Sequence, residues 1–361
     1  MTHIFHSAPT GSPSLFREAR GWALTVSTSP SGVSRTKGGS LSGTAGLLGR
    51  SLDMVPSEWQ RAGVSASKLN RLKELLAGYG SCVVAYSGGV DSVFLARVAR
   101  DVLGDKSLAA IADSPSLPRR ELAEALDLAE KFQLPVRVVK TAEFDNPSYL
   151  ANPNNRCYFC KHELFTELVP LAREGGFAVI AYGENASDIG DHRPGAKAAA
   201  EFQVKAPLKE AGLTKQEIRA LSAELGLPTA DKPQMACLSS RIPYGERVTP
   251  EKLRMIEEGE FTLKNLGFYD VRVRHHELKT SAFQLGHQLS VDGARQEGIA
   301  HLARIELGAS ELPKLIESGA YETVAEALRK LGYLHVTLDL AGYRRGSVNE
   351  GLKLTTVTAE D

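Results

Sequence analysis

The run Cys82-Val83-Val84-Ala85-Tyr86 ends abruptly at Ser87-Gly88-Gly89-Val90-Asp91-Ser92, and Val93-Phe94-Leu95-Ala96 follows at once. A short continuous apolar run reads as a strand buried on both faces, the kind a parallel sheet makes. Val93 to Ala96 opens a helix. The Ser/Gly turn between them exposes backbone N–H groups at a helix N-terminus, which forms an anion site. Gly88 and Gly89 let the backbone approach a phosphate closely, and the Ser87 and Ser92 hydroxyls add donors. Asp91 would be repelled by a bare phosphate, so it is expected to cap the helix or to help hold magnesium. The loop is not a Walker A motif, because the G-x-x-x-x-G-K-[ST] lysine is missing.

Strand and helix signals then alternate. Strands are expected at Leu108–Ala112, Val136–Val139 and Ala178–Tyr182, with helices to about Leu103, over Arg119–Phe132 and from about Tyr158 to Arg173. Such alternation predicts an α/β fold, a parallel sheet with helices on both faces. Ligands in these folds sit at the carboxyl ends of the strands, where Ser87 to Ser92, Asp113 and Gly183-Glu184-Asn185 fall. Thr214 and Glu217 form a capping box before a further helix, and Thr249-Pro250 starts another that Gly267 closes. From Val271 on, the alternation in Val271–Arg274 and Leu302–Leu307 predicts a smaller α+β domain, its boundary near residue 245. The expected division is 1–55, 60–245, 246–350 and a tail, 351–361.

Charge is balanced, with 43 basic and 43 acidic residues, so no global signature of nucleic-acid binding is present. No uninterrupted apolar segment approaches the length of a membrane span. Four cysteines are too few for a disulfide scaffold in a chain of 361 residues, which points to a reducing, cytoplasmic setting. The first fifty residues are rich in Ser, Thr and Gly, and Glu18 is the one acid among them. That composition fits a transit-like segment, a disordered tail, or a translation start placed too early. With Met54 just ahead of the first confident helix, the last is the expectation.

Three cysteines stand apart from the buried-strand Cys82. Arg156-Cys157-Tyr158-Phe159-Cys160-Lys161 carries a C-x-x-C, which can grip a metal, an iron–sulfur cluster or a disulfide. Two thiols do not complete a metal site, and Cys237 is the candidate third. It lies in a loop flanked by Pro233 and Pro243, with Lys232 and Arg241 nearby as cations that would lower a thiol pKa.

The Ser87–Ser92 string resembles the SGGxDS loop of the PP-loop ATP pyrophosphatases, an adenine nucleotide alpha hydrolase-like fold whose members cleave ATP to AMP and pyrophosphate. Further motifs follow in order: Asn152-Pro153 with the C-x-x-C segment, Asp188-Ile189-Gly190-Asp191-His192-Arg193-Pro194-Gly195, Cys237 through Gly245, and Val271 through His276. Together, over roughly residues 60 to 350, they resemble the LarE family of ATP-dependent sulfur transferases. The family converts the carboxylates of a pyridinium 3,5-biscarboxylate mononucleotide to thiocarboxylates in nickel-pincer cofactor synthesis.

The resemblance implies ATP with Mg2+ at Ser87, Gly88, Gly89, Asp91, Ser92 and Asp113. It implies a small-molecule nucleotide substrate held by Arg241, Arg272, Arg274 and Arg304, with Glu184, Asp188 and Arg193 holding magnesium or orienting substrate. In some members the cysteine matching Cys237 gives up its own sulfur. In others three cysteines hold a [4Fe-4S] cluster, and with Cys157, Cys160 and Cys237 all present the cluster version is expected here. A homo-oligomer without nucleic-acid or membrane partners is also expected.

One departure is the stretch from Glu277 to His301, roughly twenty-five residues where a short turn is expected. As a surface loop it costs little, and it could form a lid or a subunit contact. Two other readings of the chain stay open at this stage. One is an ammonia-using amidotransferase or NAD-synthetase-like ligase, or a tRNA thiolase. The other is an ATP sensor whose thiols bind zinc.

Overall fold

The computed structural model describes residues 58–189, 194–233, 236–281 and 297–344. The expectations for residues 1–55, for Arg193 and for the tail lie outside them. Helix α1 (Glu58–Tyr79) leads into β1 (Cys82–Ala85), α2 (Val90–Leu103), β2 (Ser107–Asp113), α3 (Arg119–Lys131) and β3 (Val136–Lys140). A short α4 (Pro147–Leu150) precedes α5 (Arg156–Glu174) and β4 (Val179–Tyr182). Then come α6 (Pro194–Glu201), α7 (Pro207–Glu210), α8 (Lys215–Glu224) and α9 (Pro250–Asn265). The chain goes on through β5 (Val271–Ser281), β6 (Glu297–Leu307), α10 (Leu312–Glu317), α11 (Ala320–Lys330) and β7 (Tyr333–Leu338).

The first sheet is parallel, in the order β3-β2-β1-β4. Side chains alternate across β1. Cys82 and Val84 join the core under α1, α2, α3 and α8, while Val83 faces the opposite core with Phe165, Leu168 and Ala198 from α5 and α6. Both faces are therefore dry, which is why the strand reads as an unbroken apolar run. The chain steps outward from β1 to β3 and then returns to the other side of β1 as β4. The carboxyl ends of β1 and β4 thus form a topological switch point, the usual ligand crevice of such sheets.

The second sheet is small and mixed, in the order β5-β6-β7, with β5 antiparallel to β6 and β6 parallel to β7. It buries Val271, Val273, Ala303, Ile305 and Leu307 against α9 and α11 in a core of its own. Part of the expected long loop is strand. Glu277 pairs with His301 and Ser281 with Glu297, so the hairpin continues past Arg274, and residues 282–296 lie outside the described set. A further apolar cluster joins Tyr149 to Leu238, Ile242, Leu253 and Ile256, seating the cysteine loop between α4 and α9. Among the described residues no helix is long and apolar enough to cross a membrane.

Candidate active site

The phosphate loop is shaped by its neighbours. Gly88 has φ +70°, and a Cβ there would stand 2.7 Å from Cβ of Ala125, so α3 packs directly on the loop backbone. Gly89 is the N-cap of α2 in extended conformation. The Ser92 hydroxyl accepts from Ser87 N at 3.1 Å and donates to Gly89 O at 3.1 Å, holding the turn closed upon itself. Asp91 stands in the first turn of α2, not at the cap. It pairs with Lys215 at the start of α8 and accepts from Asn185 Nδ2 at 3.3 Å. Gly183, after β4, is nearly in contact with it, since a Cβ there would lie 3.1 Å from Asp91 Cβ. The switch point is thus closed by residues from α2, the turn after β4 and α8. Asp113, ending β2, pairs with Arg119, the first residue of α3.

The cysteines occupy the same edge of the sheet. Cys157 lies in the first turn of α5 and Cys160 at the start of the second, and Cys237 precedes a short 3-10 turn, Leu238–Arg241. Leu238 N donates to Ser116 O at 2.8 Å, just beyond β2. Arg156 donates to Ser239 O at 2.9 Å and to Asn152 Oδ1, while Asn152 Nδ2 donates to Pro243 O at 2.7 Å. Asn152 is fully buried with φ +54°, a left-handed conformation asparagine tolerates.

Burial, then the charge of Cys237, push the Cys157 and Cys160 thiols up from their ordinary values. Cys157 is exposed to solvent, which moderates the burial contribution there. The three thiols thus lie within electrostatic reach of one another. They are the right kind of donor for an iron–sulfur cluster. As placed, however, no three His, Cys, Asp or Glu side chains among the described residues gather closely enough to hold a metal ion.

Of the cations the sequence sets beside Cys237, Lys232 is engaged elsewhere, while Arg241 donates to Cys237 O at 3.0 Å and lies within reach of its charge. Lys232 pairs with Glu121 at 2.6 Å, and Arg241 grips Glu260 through two bonds at 2.8 and 3.0 Å. A second guanidinium that answers the thiols is Arg156. Burial works against its charge, but Cys237 and Cys157 outweigh it and its pKa is raised. The sequence motif gives Arg156 no role of its own, and its place next to Cys157 is the signal that points to one.

Arg241, Arg274 and Arg304 are linked through Ser240 and Glu306 beside the cysteine loop, and Arg272 lies within reach of the Arg241 charge. Arg274 donates to Ser240 O at 2.9 Å and to Glu306 at 2.8 Å, and it lies opposite Arg304 in the hairpin register. Arg304 bonds Asp339, Glu306 and His276. Arg272 donates to Val271 O, lies 4.7 Å over the Tyr343 ring, and is pushed down by burial and by the charge of Arg241. Glu184 and Asp188 sit at the β4 edge. Glu184 accepts from Tyr182 and from Lys209 at 2.9 Å, and Asp188 closes a capping box with Asn185.

The parallel sheet and its phosphate loop have counterparts among known proteins. The NAD synthase family model matches residues 68–152, the span from α1 through the phosphate loop to Asn152. An uncharacterized protein of Synechocystis sp. is 40% identical over 79% of this chain and 98% of its own length. The tRNA-specific 2-thiouridylase MnmA of Azorhizobium caulinodans is 32% identical over 49% of this chain and 55% of its own. The pyridinium-3,5-bisthiocarboxylic acid mononucleotide synthase of Lactiplantibacillus plantarum is 31% identical over 80% of this chain and 95% of its own. With its phosphate loop at the switch point of a parallel sheet and that match along nearly the whole synthase, the chain belongs to the LarE family of PP-loop ATP-using enzymes.

Proposed function

We propose that the chain uses ATP to convert a carboxylate of pyridinium-3,5-biscarboxylic acid mononucleotide into a thiocarboxylate. The observation that carries this reading is the bond from Leu238 N to Ser116 O, which ties the Cys237 loop to the sheet edge that holds the phosphate loop. A carboxylate is a poor electrophile. Its oxygen attacks the α-phosphorus of ATP, pyrophosphate leaves, and the resulting acyl adenylate exposes a carbonyl carbon to sulfur. Sulfur then adds and AMP departs. Asp91 is the carboxylate that would share Mg2+ with the phosphates, a ligand set magnesium commonly accepts.

If Cys237 is the nucleophile, it forms a thioester; a base then takes its Cα proton as the Cβ–Sγ bond breaks, leaving dehydroalanine on the chain and the thiocarboxylate, with the C–S electron pair, on the product. A [4Fe-4S] cluster, were it loaded, would be held by Cys157, Cys160 and Cys237 and would supply an added sulfide that spares the cysteines. Arg241, Arg272, Arg274 and Arg304 would together supply the positive potential that receives the nucleotide phosphate and the second carboxylate.

The test is pyrophosphate release with the mononucleotide, together with iron, sulfide and intact-mass analysis of anaerobically purified protein. Asp91→Ala is expected to abolish release with the fold intact, and retained turnover would overturn the phosphate-site assignment. Iron and sulfide lost in Cys157→Ala would identify the cluster route. A loss of about 34 mass units at Cys237 would identify the sacrificial one, a step beyond ordinary cysteine oxidation chemistry.

A further inference from the structure

Glu143 stands in a 3-10 turn, Glu143–Asp145, after β3 and is only 1% exposed. One carboxylate oxygen accepts from the Ser114 hydroxyl; the other, Oε2, is buried with no hydrogen-bond partner among the described residues. Ser114 Oγ lies 2.8 Å from Ser116 Oγ and accepts from Ser116 N at 3.0 Å, and both serines are buried. Ser116 O in turn accepts from Leu238 N, the residue after Cys237. A chain of bonds therefore runs from this carboxylate, across the turn that ends β2, to the cysteine loop. Burying a carboxyl side chain with one oxygen left without a hydrogen bond is costly, and an apolar side chain would serve stability better. The fold accepts that cost at the junction between the nucleotide edge and the thiols.

We infer that Glu143 is a positioning residue that, through Ser114 and Ser116, holds the Cys237 loop over the nucleotide edge and keeps adenylation coupled to sulfur transfer. The inference rests on the sulfur-transfer reading above. When the loop is displaced, water meets the acyl adenylate in place of sulfur, so AMP leaves and the carboxylate is regenerated. ATP is then consumed without product.

The experiment measures pyrophosphate and thiocarboxylate together in the full chain, and separately the rate at which iodoacetamide alkylates Cys237, read by peptide mass. In Glu143→Ala, pyrophosphate release is expected to stay near wild type while thiocarboxylate formed per pyrophosphate falls about ten-fold or more. Cys237 should alkylate faster. Glu143→Gln, which keeps an acceptor for Ser114, should restore both readouts, and Ser114→Ala should reproduce the uncoupling if Glu143→Ala does not fold. An unchanged product ratio, an equal loss of both products, or a glutamine variant as poor as the alanine one would each overturn the inference. If wild type releases no pyrophosphate with this substrate, the functional reading fails instead. The alkylation rates still decide whether Glu143 holds the loop, and equal rates in wild type and Glu143→Ala would overturn it.

Discussion

Gly88 and Gly89 are neighbours with different obligations. Gly88 adopts φ +70° with the Ala125 methyl filling the space its own Cβ would need, whereas Gly89 has φ −84° and its nearest such contact is 3.5 Å. Gly88→Ala is therefore expected to lower Tm, at a cost of about 1–3 kcal/mol, and to distort the phosphate loop, while Gly89→Ala leaves Tm close to wild type. Equal melting temperatures would contradict this. Arg241 and Glu260 are a buried pair, and Glu260 is held below the usual carboxylate range against its burial by that guanidinium. Arg241→Met strands the carboxylate and is expected to cost about 3–5 kcal/mol by denaturant unfolding. Adding Glu260→Leu should recover part of the loss, and no recovery would show that the pair is not the source. The sequence marks Arg241 as a cation near a thiol and, by resemblance, as a substrate contact. Its partner lies nineteen positions on in a helix, and no local pattern assigns it.

Among the elements, caps and alternation were legible because both are short-range. Thr214 Oγ1 accepts from Glu217 N and Glu217 answers Thr214 N, the reciprocal pair the spacing announces. The extended β5–β6 hairpin was not legible. Glu277-Leu278-Lys279-Thr280-Ser281 has no apolar face of its own, and it becomes strand by pairing with residues 297–301 across the sheet. Glu246 stands where that hairpin begins, accepting from Glu277 N at 3.2 Å, and burial pushes its carboxyl from 4.5 up to about 7. A raised carboxylate means the folded state binds the extra proton between those values. Its contribution to stability is complete below 4.5 and is lost as pH rises toward 7. Glu246→Gln is expected to remove that part of the slope when denaturant midpoints are compared between about pH 5 and about pH 7. An unchanged slope would move the effect to another group.

At the scale of the whole molecule, the parallel order β3-β2-β1-β4 brings Ser87–Ser92 and Gly183–Asn185 together at one switch point. Ser116 holds the loop of Cys237 at that same edge. Both sheets lie in one compact unit, and the arginines of the second reach the cysteine loop through Ser240. The sequence by itself determined the strand–turn–helix, the helix termini and the parallel sheet. Backbone hydrogen bonding, capping and side-chain periodicity act over a few residues and leave their mark in the local string. Only the tertiary structure decided which charge neutralises which: Lys215 for Asp91, Glu260 for Arg241, and Arg156 facing the thiols. The reason is that burial removes water as the partner of every charge at once. The replacement is whichever group the packing brings near, however distant it is along the chain.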